Sequence, residues 1–141
     1  MRIITQFVFL LLISNSAFAT LELKLIKDEK FIYVLLLNEG WDSERVKPNM
    51  CLSDLGALSF TFVNKNDEEY ELTSLLHERC DRKYQVDVES SGLVGKFFDI
   101  EGLSSLYRLE TGSYSVSAEL CEPDRIKPVR CIKSNVISIS N

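Results

Sequence analysis

The sequence is poor in the residues on which most hydrolases and metal proteins depend. Histidine occurs once, as His77, and tryptophan once, as Trp41. One histidine cannot build a histidine-rich zinc site. His77 has Glu78 beside it in LLHERC, but a His–carboxylate dyad does chemistry only with a nucleophile or metal close by. Neither GxSxG nor HExxH occurs, so the ordinary reading of His77 is a loop histidine near a disulfide, and no catalytic residue is assigned. CxxC pairs are missing too, which removes the usual cysteine zinc site. NKNDEE, residues 64–69, spaces oxygen ligands at Asn64, Asn66 and Glu68. It lacks the glycine and late glutamate of a calcium loop, because Glu69 and Leu75 stand at those positions. It reads as a solvated turn, with no metal and no cofactor. There is no excess of positive charge: the formal charge is −5. That argues against a general binder of nucleic acid or anionic lipid. No internal repeat or low-complexity tract is present.

Long apolar runs are also missing. The run Phe7–Ile13 is too short to cross a bilayer, which takes roughly 20 residues. It follows Arg2 and precedes Ala17-Phe18-Ala19, a small-x-small cleavage pattern, so residues 1–19 read as a signal peptide. The expected mature chain, residues 20–141, suits one domain with one core. It is expected to be exported, soluble and without a membrane anchor. Cys51, Cys80, Cys121 and Cys131 all lie in it, and an even count in an exported domain reads as two disulfides. Three connectivities are open at this point.

Alternation of apolar and polar residues marks the strands. Leu21, Leu23 and Leu25 share one face of LELKLI. FIYVLLLN (31–38) is a nearly unbroken apolar run and reads as a central strand. A polar connection, 39–56, follows; Pro48 and two glycines discourage regular structure there, with Arg45-Val46 a candidate edge segment. ALSFTFV (57–63) puts Leu58, Phe60 and Phe62 inward, YELTSLL (70–76) leans to strand, and YQVDV (84–88) alternates. Residues 90–107 show no clean period and read as a crossing between sheets, with one helical turn near Leu103–Leu106. SYSVSAEL (113–120) alternates cleanly. In CIKSNVISIS (131–140) the apolar phase slips by one residue, which signals a β-bulge or a strand bending between sheets. About seven strands with little helical periodicity predict an all-β sandwich.

The spacing Leu109-x-x-Gly112-x-Tyr114-x-Val116-x-Ala118 resembles the opening of strand F in immunoglobulin-like and fibronectin type III-like sandwiches. There a tyrosine turns its hydroxyl back to the backbone just upstream. FIYVLLLN is similar to strand B, and LYRLETGSYSVSAEL with SNVISIS to the last third, of small bacterial exported immunoglobulin-like domains. The chain departs from antibody-type domains, since no cysteine lies two residues after Tyr114 and Trp41 is in a loop. The resemblance implies an immunoglobulin-like antiparallel sandwich with 113–120 and 132–140 as hairpin neighbours. It thereby implies the pairs Cys121–Cys131 and Cys51–Cys80. Gly112 is expected to supply turn geometry at the corner.

Two surfaces then stand out for recognition. Loop 122–130 carries Arg125, Ile126, Lys127 and Arg130 and is stiffened by Pro123 and Pro128. Loop 39–50 carries Trp41, which either folds over the core or stands out to anchor a partner. The expectation is a non-enzymatic exported module, periplasmic or secreted, that contacts another exported or envelope protein in an inhibitor, immunity or accessory role. A carbohydrate-binding domain using Trp41 is the alternative, and a small hydrolase comes last.

Overall fold

The computed structural model describes residues 21–46, 50–52, 58–72, 86–122 and 130–141, with the side chains of Glu122 and Arg130 outside that description. The expected signal peptide, His77, Cys80, Arg125, Ile126 and Lys127 lie outside the described residues. In chain order the elements are β1 (Leu21–Lys27), β2 (Phe31–Asn38), β3 (Glu44–Val46), β4 (Leu58–Asn64), β5 (Glu69–Tyr70), β6 (Val86–Val88), β7 (Leu93–Asp99), α1 (Ile100–Tyr107), β8 (Ser113–Glu122), β9 (Arg130–Lys133) and β10 (Ile137–Ser140).

The alternating segments fold as strands because burial of one face drives each of them. In β1, Leu23 and Leu25 are buried while Glu22 and Lys24 are exposed. Asp28 closes the turn to β2: its Oδ1 accepts from the Lys30 and Phe31 amides, each at 2.8 Å. β2 lies between β1 and β7, antiparallel to both, in a sheet ordered β1-β2-β7. A second antiparallel sheet runs β10-β8-β4-β5, with β9 also paired to β8. β3 and β6 form a two-stranded ribbon.

The two larger sheets share one core. Ile32, Val34 and Leu36 of β2 join Phe60 and Phe62 of β4, Val116 of β8 and Ile139 of β10 in a single buried cluster. Phe60 meets Phe98 of β7 edge-on at 5.3 Å, which ties one sheet to the other. Each such side chain contributes about 1.5–3 kcal/mol by leaving water. α1 packs Leu103 and Tyr107 into the same cluster. Tyr107 also accepts the Phe60 amide at 3.2 Å, on the side of β4 that the short β5 does not reach.

Two readings of 90–107 need correction. Residues 93–99 are no crossing: they form β7, paired with β2 from Leu37↔Leu93 to Phe31↔Asp99. The strand was hidden because its polarity is inverted, with Leu93 and Phe97 facing water and Lys96 on the inner side. The helix is also longer than one turn. Asp99 caps it by accepting the Gly102 amide at 2.8 Å, and Arg108 ends it in the left-handed region (φ 52°).

The phase slip in 131–140 is a bulge between β9 and β10. Lys133 stands opposite Glu119 and Ile137 opposite Val116, so residues 134–136 face only 117 and 118. Ser134 fills the gap: its amide donates to Ala118 O and its Oγ accepts the Ala118 amide, both at 2.8 Å. Asn135 is thereby aimed at β1. Its Oδ1 accepts the Leu25 amide at 2.7 Å and its Nδ2 donates to Leu25 O at 3.1 Å. In YELTSLL, strand structure covers Tyr70 alone, and residues 73–76 lie outside the described residues.

Candidate functional site

Beyond Asn38 the β2–β7 ladder continues into the β3–β6 ribbon, but not in step. The Asn38 amide donates to Gly92 O at 3.0 Å, and the next register pair is Glu44↔Val88. Residues 39–43 therefore face only 89–91, and the excess chain is thrown outward as a bulge with Trp41 in it. The indole is 88% exposed. The alternative of a tryptophan folded over the core is thus not what the structure has.

Asn38 holds this bulge. It takes the next inward position after Ile32, Val34 and Leu36, where a polar residue must find partners or cost stability. It is 1% exposed and finds them in the bulge and at the end of β6. Oδ1 accepts the Gly40 amide at 2.9 Å, while Nδ2 donates to Asp42 O at 2.7 Å and Val88 O at 2.9 Å. Ser91 donates to Asn38 O at 2.9 Å, and Ser90 Oγ to Gly40 O at 2.8 Å. The backbone on both sides of Trp41 is clamped while its ring stands in water. Glu39, Asp42 and Glu44 surround it in sequence, and Glu39 and Asp42 are exposed. The nearby cation, Arg45, is engaged by Asp87 at 2.8 Å. That bond holds the Asp87 carboxyl below its ordinary range and raises Arg45. The site is thus an apolar knob in an acidic setting.

At the other expected feature, Tyr114 donates its hydroxyl to Glu110 O at 2.9 Å. Burial raises the Tyr114 phenol, and the neighbouring Tyr70, edge-on at 5.5 Å, raises it further. Leu109 is buried in the same core cluster. Gly112 does not play the part expected of it. Its φ is not positive, and a Cβ there would meet nothing closer than the Tyr114 ring at 3.9 Å. The left-handed residue of this corner is Arg108, and Gly112 instead exchanges backbone hydrogen bonds with Asn141.

Cys121 and Cys131 stand opposite each other across β8 and β9 and are bonded, with Cα atoms 4.1 Å apart. The bridge braces the base of loop 122–130, whose residues 123–129 lie outside the described residues. Cys51 is buried and also disulfide-bonded, and no described cysteine is free. Its expected partner, Cys80, lies outside the described residues. Glu119 gathers with the Cys121 and Cys131 sulfurs within 4.8 Å. Because those sulfurs are bonded to each other, the group offers a cation a single carboxylate.

Sequence reasoning did not find the outer face of the β1-β2-β7 sheet. Phe31, Tyr33 and Phe97 group there, with Phe31 and Phe97 edge-on at 5.3 Å and Tyr33 6.4 Å from Phe97. Leu93 and Phe97 are 62% and 61% exposed. The signal was present in FIYVLLLN, since an unbroken apolar strand asks for cover on both faces. No protein-family model matches the chain, and no curated protein is similar enough to count as a relative.

Proposed function

We propose that the chain is a non-enzymatic, exported module of the periplasm or exterior that binds another protein, with Trp41 as the anchor. The observation that carries this reading is a water-exposed indole on a backbone clamped by a buried asparagine. Exposing an indole forgoes about 1.5–3 kcal/mol of burial of the kind other large apolar side chains gain. Clamping its backbone reduces the entropy lost when a partner closes over it. Aromatic anchors of this kind dominate protein interfaces. The surrounding carboxylates favour a partner whose apolar pocket is rimmed by lysine or arginine. Loop 122–130, with Arg125, Ile126, Lys127 and Arg130, is a second contact in this reading.

The strand order β1-β2-β7 over β10-β8-β4-β5, the Leu23–Ser134 parallel bridge and the Tyr114–Glu110 hydrogen bond support an immunoglobulin-like sandwich. The Cys121–Cys131 bridge and the N-terminal cleavage pattern support export. An inhibitor, immunity or accessory role is drawn from fold and size.

Affinity capture from the exported fraction tests the reading. Trp41→Ala is expected to weaken capture by about 2 kcal/mol or more, roughly 30-fold. Its melting temperature stays near the parent's, as for other exposed positions. Equal capture by the variant contradicts the proposal. An emission shift of Trp41 on soluble cell-wall glycan, with no protein captured, would replace it with carbohydrate binding.

A further inference from the structure

Strand edges present unpaired amides and carbonyls, and folded proteins cover or blunt them. The other described edges of the two larger sheets are managed. Asn135 occupies both backbone groups of Leu25 on β1. β5 and the Tyr107 hydroxyl cover β4, and the β9–β10 edge is broken by its bulge. Among the described residues β7 has neither a bulge nor a strand paired along its free edge, and its one inward-pointing charge is Lys96. It runs from Leu93 to Asp99 without proline. Its lysine, Lys96, is turned to the inner side, where Nζ donates to Met50 O at 3.3 Å and lies 5.0 Å from the Phe98 ring centre. Its carboxylate, Asp99, is used as the cap of α1.

The phase of the β2–β7 ladder fixes what this edge offers. Hydrogen bonds at its two ends run from Ile100 N to Lys30 O (2.8 Å) and from Asn38 N to Gly92 O (3.0 Å). Antiparallel bonding alternates along a strand, so Val94, Lys96 and Phe98 bond to β2. The amides and carbonyls of Leu93, Gly95 and Phe97 point away from it. The same three residues form the outer face, where Leu93 and Phe97 are exposed and Leu35 leans over Gly95. A Cβ built on Gly95 would come within 2.6 Å of Leu35 Cδ2.

We propose that the chain pairs with a second copy of itself through β7, antiparallel across a two-fold axis at Gly95, joining the two β1-β2-β7 sheets into one. The edge is self-complementary in that register. Leu93 faces Phe97 of the second copy in both directions, and Gly95 faces Gly95 beneath the two Leu35 side chains. Lys96 faces Val94. About six backbone hydrogen bonds form, two for each outward-bonding pair. Moving the register by two residues in one direction would set Lys96 against Lys96 and Leu93 against Asp99, and like charges directly opposite are destabilising. Moving it in the other would set Leu93 against Gly95 and Phe97 against Ser91, losing both Leu93–Phe97 pairs. The aromatic group of Phe31, Tyr33 and Phe97 in each copy then borders a continuous apolar band. This association uses neither Trp41 nor loop 122–130.

Sedimentation equilibrium of the purified protein tests it, beside Leu93→Lys and Phe97→Lys. Both positions are exposed, so the variants are expected to keep the parent's circular dichroism and melting temperature. The parent is expected to sediment as a concentration-dependent dimer and both variants as monomers. Leu93→Cys/Phe97→Cys is expected to form a covalent dimer on mild oxidation, because those positions face each other across the axis. A parent that stays monomeric at every concentration overturns the proposal. So does a dimer that survives both lysine variants and fails to cross-link.

Discussion

Asn38 and Asp28 show how single polar residues shape this surface. Replacing Asn38 with alanine leaves Gly40 N–H, Asp42 O and Val88 O without their partner. At about 1–3 kcal/mol for each unsatisfied buried group, part of it recovered by water, the expected loss is about 3 kcal/mol. Urea unfolding measures it. The same variant should lower the fluorescence anisotropy of Trp41, the sole indole, because the bulge is no longer clamped. Asp28 gives a pH prediction. The Tyr33 hydroxyl bond, then the Lys30 and Phe31 amides, hold its carboxyl below the ordinary 3.8. A carboxyl lowered by folding stabilises above its unfolded value, and that contribution is lost as pH falls through the folded one. Melting temperature should therefore fall with acidification below about pH 4, less steeply in Asp28→Asn. Asp28 in turn raises the Tyr33 phenol above 10.0, so the same variant should bring the Tyr33 absorbance titration back down.

Among the elements, strands with one wet and one dry face were legible. β1, β4 and β8 alternate because each buries one face against the shared core, and burial leaves its period in the sequence. The slip in CIKSNVISIS was legible for the same reason, since a bulge moves one residue across the pleat. β7 was not. Its inner lysine and outer leucine and phenylalanine cancel the alternation, and its partner β2 lies far away in sequence. The Tyr114 corner was partly legible: the hydroxyl bond to Glu110 follows the spacing, whereas the role of Gly112 does not. Tyr114→Phe is expected to cost about 1 kcal/mol by equilibrium unfolding, the net worth of one hydrogen bond. Asn135→Ala should free the Leu25 amide, seen as faster hydrogen exchange there than at Leu36.

For the whole molecule, strand register places the Trp41 bulge and the base of loop 122–130, the two proposed contacts, at the same end of the strands. Leu21 pairs with Asn38, Leu23 bridges Ser134 in parallel, and Ile132 pairs with Leu120. The bulge lies where β2 passes into β3, and loop 122–130 is held between β8 and β9 by the Cys121–Cys131 bridge. Removing that bridge with Cys121→Ala/Cys131→Ala is expected to cost about 3 kcal/mol in the chain-entropy model, measured by denaturant unfolding. The all-β class was legible because β1, β4 and β8 carry their own period and β2 is a short β-branched and aromatic run. The site was only half legible. Trp41 stands out by rarity, but its exposure depends on a register mismatch between 38–44 and 88–92, which no local pattern records. The account's central claim is that the clamped indole meets a protein. Its most direct test is in-cell photocrosslinking with a photoreactive aromatic residue at position 41, compared with position 24 on β1. A discrete protein adduct at 41, missing at 24 and diminished by Asn38→Ala, is the predicted result. No protein adduct at 41, or the same adducts at both positions, would contradict it.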